Sequence, residues 1–292
     1  MARVEANGIH IEYETFGDRS GRPLFLLRGL STQLIHWDHD FCHGLVEQGH
    51  FVTIFDNRDV GLSTWFDDAG LPDMAAIFAG QKTETAYGLD DMADDTVGLM
   101  DALGLESAHV AGISMGGMIA QAVALRHPSR IRSLISIMSS TGAPDLPPAT
   151  PAAMEALLSP APAERAAYID HTMRSQRAIG SPGFAFDDER EAARAGRAFD
   201  RAFHPDGSAR QLAAVRTHGD RSAGLSQLSV PTLVLHGSAD PLIPPEHGEN
   251  TAAVIPGAEL HLVEGMGHDI PRGGHAEIIE KISQHTARAD SR

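Results

Sequence analysis

Cysteine is almost missing from this chain. Its 292 residues include one, Cys42, so no intramolecular disulfide can form, and a thiol within FCHGLVEQ reads as a buried helical position. Basic residues are scarce as well. Twenty-three Lys and Arg face 39 Asp and Glu, a formal net charge of −16. No basic stripe appears, which argues against nucleic acid as a partner, and the acidic surplus reads as solubility. No stretch approaches the roughly 18 uncharged apolar residues of a membrane-crossing helix, so no membrane span is expected. The start, MARVEANGIHIEY, lacks the apolar core of a signal peptide, which makes the cytoplasm the expected location. Zinc-type Cys/His spacing, internal repeats and low-complexity tracts are also lacking. Neither a metal nor a cofactor is expected. The acidic run Asp90, Asp91, Asp94 and Asp95 reads as the first turns of a helix, where carboxylates suit the macrodipole.

What is present is a rhythm of short apolar strands and helices. A 42% hydrophobic content suffices for a substantial core. Arg3–Ala6 and Ile9–Phe16 flank Asn7-Gly8, a strong hairpin signal. Leu24–Leu27, Phe51–Phe55, Ser107–Ala111, Ile131–Met138, Pro231–His236 and Glu259–Glu264 read as further strands. Trp37–Gln48, Leu89–Leu103, Met115–Arg126, residues 245–254 and a segment from Ala276 read as helices, and 66–88 as a long loop. Such alternation implies a mostly parallel sheet covered on both faces. It stops between about 141 and 229, where four helical pieces near 151–158, 162–178, 187–203 and 208–218 read as a helical lid inserted after the sixth strand. The expected division is a core of 1–140 and 230–292 with a cap of 141–229.

Chemistry enters at Gly112-Ile113-Ser114-Met115-Gly116, followed by Gly117. Flanked by strand and helix, this Gly-x-Ser-x-Gly forces the serine into an unusual backbone geometry that glycines on either side make room for. A serine hydroxyl needs an imidazole to take its proton, and the imidazole needs a carboxylate to fix its tautomer. Active groups of open α/β sheets gather beyond the carboxyl ends of strands. Asp240, four residues after the strand 231–236, and His268, after the last strand in Gly265-Met266-Gly267-His268, satisfy that rule in the order Ser, acid, His. Asp145, after 131–138, is the weaker competing acid. Two oxyanion donors are expected from the amides of Met115 and Leu30, with Gly29 letting the chain turn. Arg28, Gly29, His36, Met74 and Phe78 are candidate substrate contacts. His39 lies near the same loop, Phe184, Phe186, Phe199 and Phe203 suggest apolar pocket walls, and His275 and His285 are expected to be solvated.

These residues carry a resemblance. Arg28-Gly29, Asp56-Asn57-Arg58-Asp59-Val60-Gly61-Leu62-Ser63, Gly112–Gly117, Asp240 and Gly267-His268 resemble the α/β-hydrolase superfamily over nearly the whole chain. Together with Leu89-Asp90-Asp91-Met92-Ala93-Asp94-Asp95 they look closest to its aclacinomycin methylesterase-like subgroup. The resemblance implies an α/β-hydrolase fold with a mostly parallel eight-stranded sheet, a helical cap, no cofactor and ester hydrolysis through a Ser–Asp–His triad. Many members have His-Gly where this chain has Arg28-Gly29. A buried Arg28 would need a partner, which Asp56 or Asp59 could supply. The expected activity is cofactor-independent hydrolysis of small-molecule carboxylic esters or lactones. Carbon–carbon bond hydrolysis or perhydrolysis by the same triad is the alternative, and a non-catalytic receptor is the remote one. Epoxide and haloalkane hydrolysis need an aspartate where Ser114 stands. Exposed lid faces leave room for a homodimer.

Overall fold

Strand composition dictates a sheet buried on both faces. The computed structural model describes residues 1–291. In β3 (Arg22–Leu27), Leu24 and Leu26 belong to one hydrophobic cluster and Phe25 and Leu27 to another, because successive strand residues point to opposite faces. The other strands are β1 (Ala2–Ala6), β2 (Ile9–Phe16), β4 (His50–Phe55), β5 (Ala108–Ile113), β6 (Ile131–Ile137), β7 (Thr232–Gly237) and β8 (Glu259–Val263). They form one eight-stranded sheet in the order β1-β2-β4-β3-β5-β6-β7-β8. Only the β1–β2 and β2–β4 pairings are antiparallel. Asn7 and Gly8 turn the first hairpin with positive φ of 52° and 74°.

Helices cover the two faces. They are α1 (His39–Glu47), α2 (Met74–Phe78), α3 (Leu89–Ala102), α4 (Met115–Arg126), α5 (Pro151–Leu158), α6 (Arg165–Ile179), α7 (Asp188–Arg201), α8 (Pro205–His218), α9 (Ser222–Leu225), α10 (Pro245–Val254) and α11 (His275–Asp290). Trp37, Phe41 and Leu45 of α1 and its approach pack with Ile278 and Ile282 of α11 on one face; Leu89, Met92, Ile119 and Val123 of α3 and α4 pack on the other. Cys42 is fully buried in this packing, and burial pushes its thiol up to about 12. Five helices, α5 to α9, lie between β6 and β7. No helix of the described residues is long and apolar enough to cross a membrane.

Two expectations change and a third gains detail. The stretch 66–88 is not a bare loop: it contains a 3-10 turn at Asp67–Ala69 and α2, whose first turn is capped by the Asp73 carboxylate accepting from Ala76 N–H at 3.0 Å. The acidic run does open a helix, α3, as expected, but its members have different partners. Asp91 caps α3 by accepting from Gly88 N–H at 2.7 Å, whereas Asp95 is buried in an ion pair with Arg58 at 2.6 Å. His275 and His285 do not face water either. His275 lies edge-on to Phe41 at 5.2 Å, and His285 is 3% exposed. Both sit on the face of α11 that packs inward, where the period of the helix puts every third or fourth residue.

Candidate active site

Ser114 occupies the turn between β5 and α4 with φ 55° and ψ −122°. A non-glycine residue held there is strained, and close packing explains how it is kept. A Cβ on Gly112 would lie 2.0 Å from the Gly116 carbonyl oxygen, and one on Gly116 would lie 2.4 Å from that of Leu27. Only glycine lets the helix start so close to the strands. Ser114 N–H donates to the Ile137 carbonyl at 3.0 Å, and the Ser139 hydroxyl donates to the Ser114 carbonyl at 2.8 Å. The serine makes no side-chain cap to its helix, so its hydroxyl is not consumed by α4.

Asp240 and His268 meet across the turns that follow β7 and β8. Asp240 is 3% exposed. Its Oδ1 accepts from the Leu242 and Ile243 amides, each at 2.9 Å, and its Oδ2 lies 2.7 Å from His268 Nδ1. A carboxylate accepts here, so Nδ1 carries the proton and Nε2 is left as the basic nitrogen. His268 N–H donates to the Ile179 carbonyl at 2.7 Å, which ties the histidine turn to the end of α6. His236 packs beneath. Its Nε2 donates to the Ile243 carbonyl at 2.8 Å, and burial lowers its pKa, keeping it neutral. Asp145 is exposed, whereas Asp240 is buried and is the carboxylate paired with His268.

The loop after β3 faces the serine. A Cβ on Gly29 would lie 3.1 Å from Ser114 Cβ and 3.6 Å from its Oγ. The loop is fastened on both sides of Leu30. Gly29 O accepts from the Thr32 hydroxyl at 2.8 Å, and Ser31 N–H, at φ 61°, donates to Gln211 Oε1 at 2.9 Å. Met115 opens α4, one of the helix positions whose amide has no intrahelical acceptor.

The partner anticipated for Arg28 is overturned. Asp56 is taken by Arg201 at 2.7 Å and by the Leu34 and Leu62 amides, and Asp59 by Arg210 at 2.7 Å and the Tyr87 hydroxyl at 2.7 Å. Arg28 instead lies over the Trp37 ring at 5.0 Å. His36 shares this surrounding; burial, then Arg194 and Arg28, hold it well below its ordinary pKa, so it is neutral. His39 is directed elsewhere, toward Glu14 at 3.7 Å and Phe16. Phe78 is 46% exposed beneath the Arg216 guanidinium, and α2, which Met74 opens, packs on α8. Phe199 and Phe203 pack with Tyr168 within the inserted helices, Phe186 lies beneath Arg177, and Phe184 packs against the sheet core. No three His, Cys, Asp or Glu side chains among the described residues are grouped to hold a metal ion.

Several contributors carry no local sequence signal. Gln211 and Gln33 fasten the β3 loop to α7 and α8, and their partners lie far away in the chain. Ser139 had a signal: it follows β6 directly, as Asp240 and His268 follow β7 and β8.

Comparison with known proteins fits this architecture. A sequence model of the family described as alpha/beta hydrolase fold matches residues 22–271. The chain belongs to the alpha/beta hydrolase fold family. The rhodomycin D methylesterase of Streptomyces sp. (strain C5) is 28% identical, with 94% of each chain covered. A 2-hydroxy-6-oxononadienedioate/2-hydroxy-6-oxononatrienedioate hydrolase of Paraburkholderia xenovorans is 31% identical over 63% of each. The solved meta-cleavage product hydrolase of Pseudomonas fluorescens IP01 superposes with a TM-score of 0.76 at 19% identity, covering 99% of this chain and 98% of that one. As an alpha/beta hydrolase, the chain carries the long side chain of Arg28 one residue before the glycine that lies against the serine.

Proposed function

We propose that this protein is a cofactor-independent serine hydrolase of carboxylic esters. Ser114 is the nucleophile, His268 the general base and acid, and Asp240 the carboxylate that orients the imidazole. The amides of Leu30 and Met115 form the oxyanion hole, and α5–α9 act as the cap over it. The observation that carries this reading is the 2.7 Å pairing of His268 Nδ1 with a buried Asp240, on the strand-end edge where the strained Ser114 sits.

The chemistry follows from the parts. His268 Nε2 takes the Ser114 proton as Oγ attacks the ester carbonyl. Negative charge develops on the carbonyl oxygen, where each preorganised amide is worth about 3–4 kcal/mol. His268 returns its proton to the departing alcohol, and water, activated by the same nitrogen, releases the acid. Asp240 already has three donors, so it can hold the imidazolium without moving. The methylesterase relatives support the ester as substrate. The relatives named as 2-hydroxy-6-oxononadienedioate hydrolases support carbon–carbon bond hydrolysis by the same triad as the second reading.

The test is labelling by an uncharged alkyl fluorophosphonate, with turnover of short para-nitrophenyl esters. Wild type is expected to be labelled at Ser114. Ser114→Ala should lose the label and about a million-fold of kcat. Unchanged turnover in a folded Ser114→Ala protein overturns the assignment. A panel that adds vinylogous diketones separates the two readings.

A further inference from the structure

Arg28 is a cation with nothing to hold. It makes no side-chain hydrogen bond or ion pair within 4.0 Å among the described residues, and its Nε is buried without an acceptor. Its one direct partner is the Trp37 ring at 5.0 Å, and the Trp37 indole N–H is also buried without an acceptor. The carboxylates that act on Arg28 electrostatically are Asp38, Asp269 and Glu191, and each is engaged elsewhere. Asp38 pairs with Arg190 and lies 3.6 Å from His275; Glu191 pairs with Arg190 at 2.9 Å and with Arg194; Asp269 accepts from the Ser181 hydroxyl. Burial, with Arg194 nearby, pulls the guanidinium down to about 9, which leaves it charged at neutral pH. Arg28 is only partly buried, and of its three nitrogens Nε alone is sealed from solvent, so the two Nη groups are unpaired and open to an acceptor brought by a ligand.

Its position says what that is. Gly29, the next residue, is the one that touches Ser114, and Asp269 follows His268. The charges acting on the guanidinium, Asp269 on the histidine turn, Glu191 and Arg194 on α7 and Asp38 before α1, place it among those segments, on a backbone one residue from the glycine against Ser114. Planar guanidinium favours a planar, two-oxygen anion. We infer that Arg28 docks a free carboxylate of the substrate, so that the preferred esters or lactones carry an acid group besides the bond to be cleaved. This rests on the serine hydrolase reading above. On a chain of net charge −16, general attraction for anions is absent, so the preference has to come from a local cation.

Two matched pairs test it: para-nitrophenyl hydrogen adipate against para-nitrophenyl hexanoate, and para-carboxyphenyl acetate against para-tolyl acetate. Wild type is expected to favour the acid member of at least one pair by ~10–100-fold in kcat/KM, the range of a charge-assisted contact. Arg28→Met, which keeps the stem over Trp37, should erase that ratio chiefly through KM, and Arg28→Lys should restore part of it. No preference in either pair, or a ratio that survives Arg28→Met, overturns the inference. If Arg28→Met does not fold, the wild-type ratios and competitive inhibition by adipate decide it alone. The uncharged fluorophosphonate reports on Ser114 without needing Arg28. Labelling without acid preference sinks only this inference; absence of labelling sinks the hydrolase reading and this one with it.

Discussion

The elbow around Ser114 and the seam between the inserted helices and the sheet are both buried and both exacting, but they are built differently. The elbow is made of missing atoms. Gly112 and Gly116 are required because any side chain there would overlap backbone at 2.0–2.4 Å. The seam is made of charges. Arg210 meets Asp59, and Arg201 meets Asp56, with side chains almost wholly removed from water. Clearance is met by leaving atoms out, at Gly112 against its own turn and at Gly116 against the neighbouring strand. A buried ion pair depends on two distant segments arriving together, and it tolerates joint replacement better than single loss.

That contrast can be broken first at the triad, where the largest effects are expected. Asp240→Asn should preserve the fold and lower kcat about ten-thousand-fold, because the amide can donate to Nδ1 and leave His268 in the wrong tautomer. Asp145→Asn, on an exposed carboxylate, should change kcat less than about twofold. Adding Asp240→Asn to Ser114→Ala should cost almost nothing more, since residues acting as a unit are not additive. Steady-state kinetics with a para-nitrophenyl ester reads all three. Equal losses at Asp240 and Asp145 would refute the assignment of the acid.

The seam should respond in the opposite pattern. Burial opposes the charge of Asp59, yet Arg210, the Phe66 amide and Tyr87 together hold its pKa below the ordinary value. Arg210→Met strands that carboxylate and should destabilise the protein by about 3–5 kcal/mol, read from urea midpoints. Adding Asp59→Leu should recover most of the loss. A double substitution worse than the single one would mean that the pair is needed for more than neutralising buried charge.

How legible each region is in the sequence follows from the same difference. The eight strands and the main helices are visible because apolar period and turn residues are local. The strand ends bearing Ser114, Asp240 and His268 are visible because glycine turns mark them. The surroundings of Arg28 are not. Asp56 and Asp59 are its nearest acids by motif, but they go to Arg201 and Arg210, whose arrival no local pattern announces. The same blindness covers His285 and Asp95. Both types are usually exposed, and only tertiary packing puts one on the inner face of α11 and the other against Arg58. Helix α2 is hidden for another reason: five residues are too few for a period to show.

A last and smaller effect separates loss of fold from loss of site. His50 opens β4, at the end of the strands opposite Ser114, Asp240 and His268. Its Nδ1 donates to the Leu45 carbonyl at 2.9 Å and its Nε2 accepts from the Thr286 hydroxyl at 2.8 Å. Burial lowers its pKa from 6.5 to about 4. The unfolded chain therefore binds the proton more readily, so this histidine's contribution is intact above pH 6.5, falls as pH drops toward 4, and is level below that. The full span is about 3 kcal/mol. His109, also lowered to about 4 by burial, adds to the slope in the same window. His50→Gln should flatten the acid dependence of urea midpoints between pH 7 and 4.5 while leaving the pH profile of kcat unchanged. If the kcat profile moved with the stability curve, acid inactivation would be loss of fold rather than a change at the site, and the two regions would not be separable as argued.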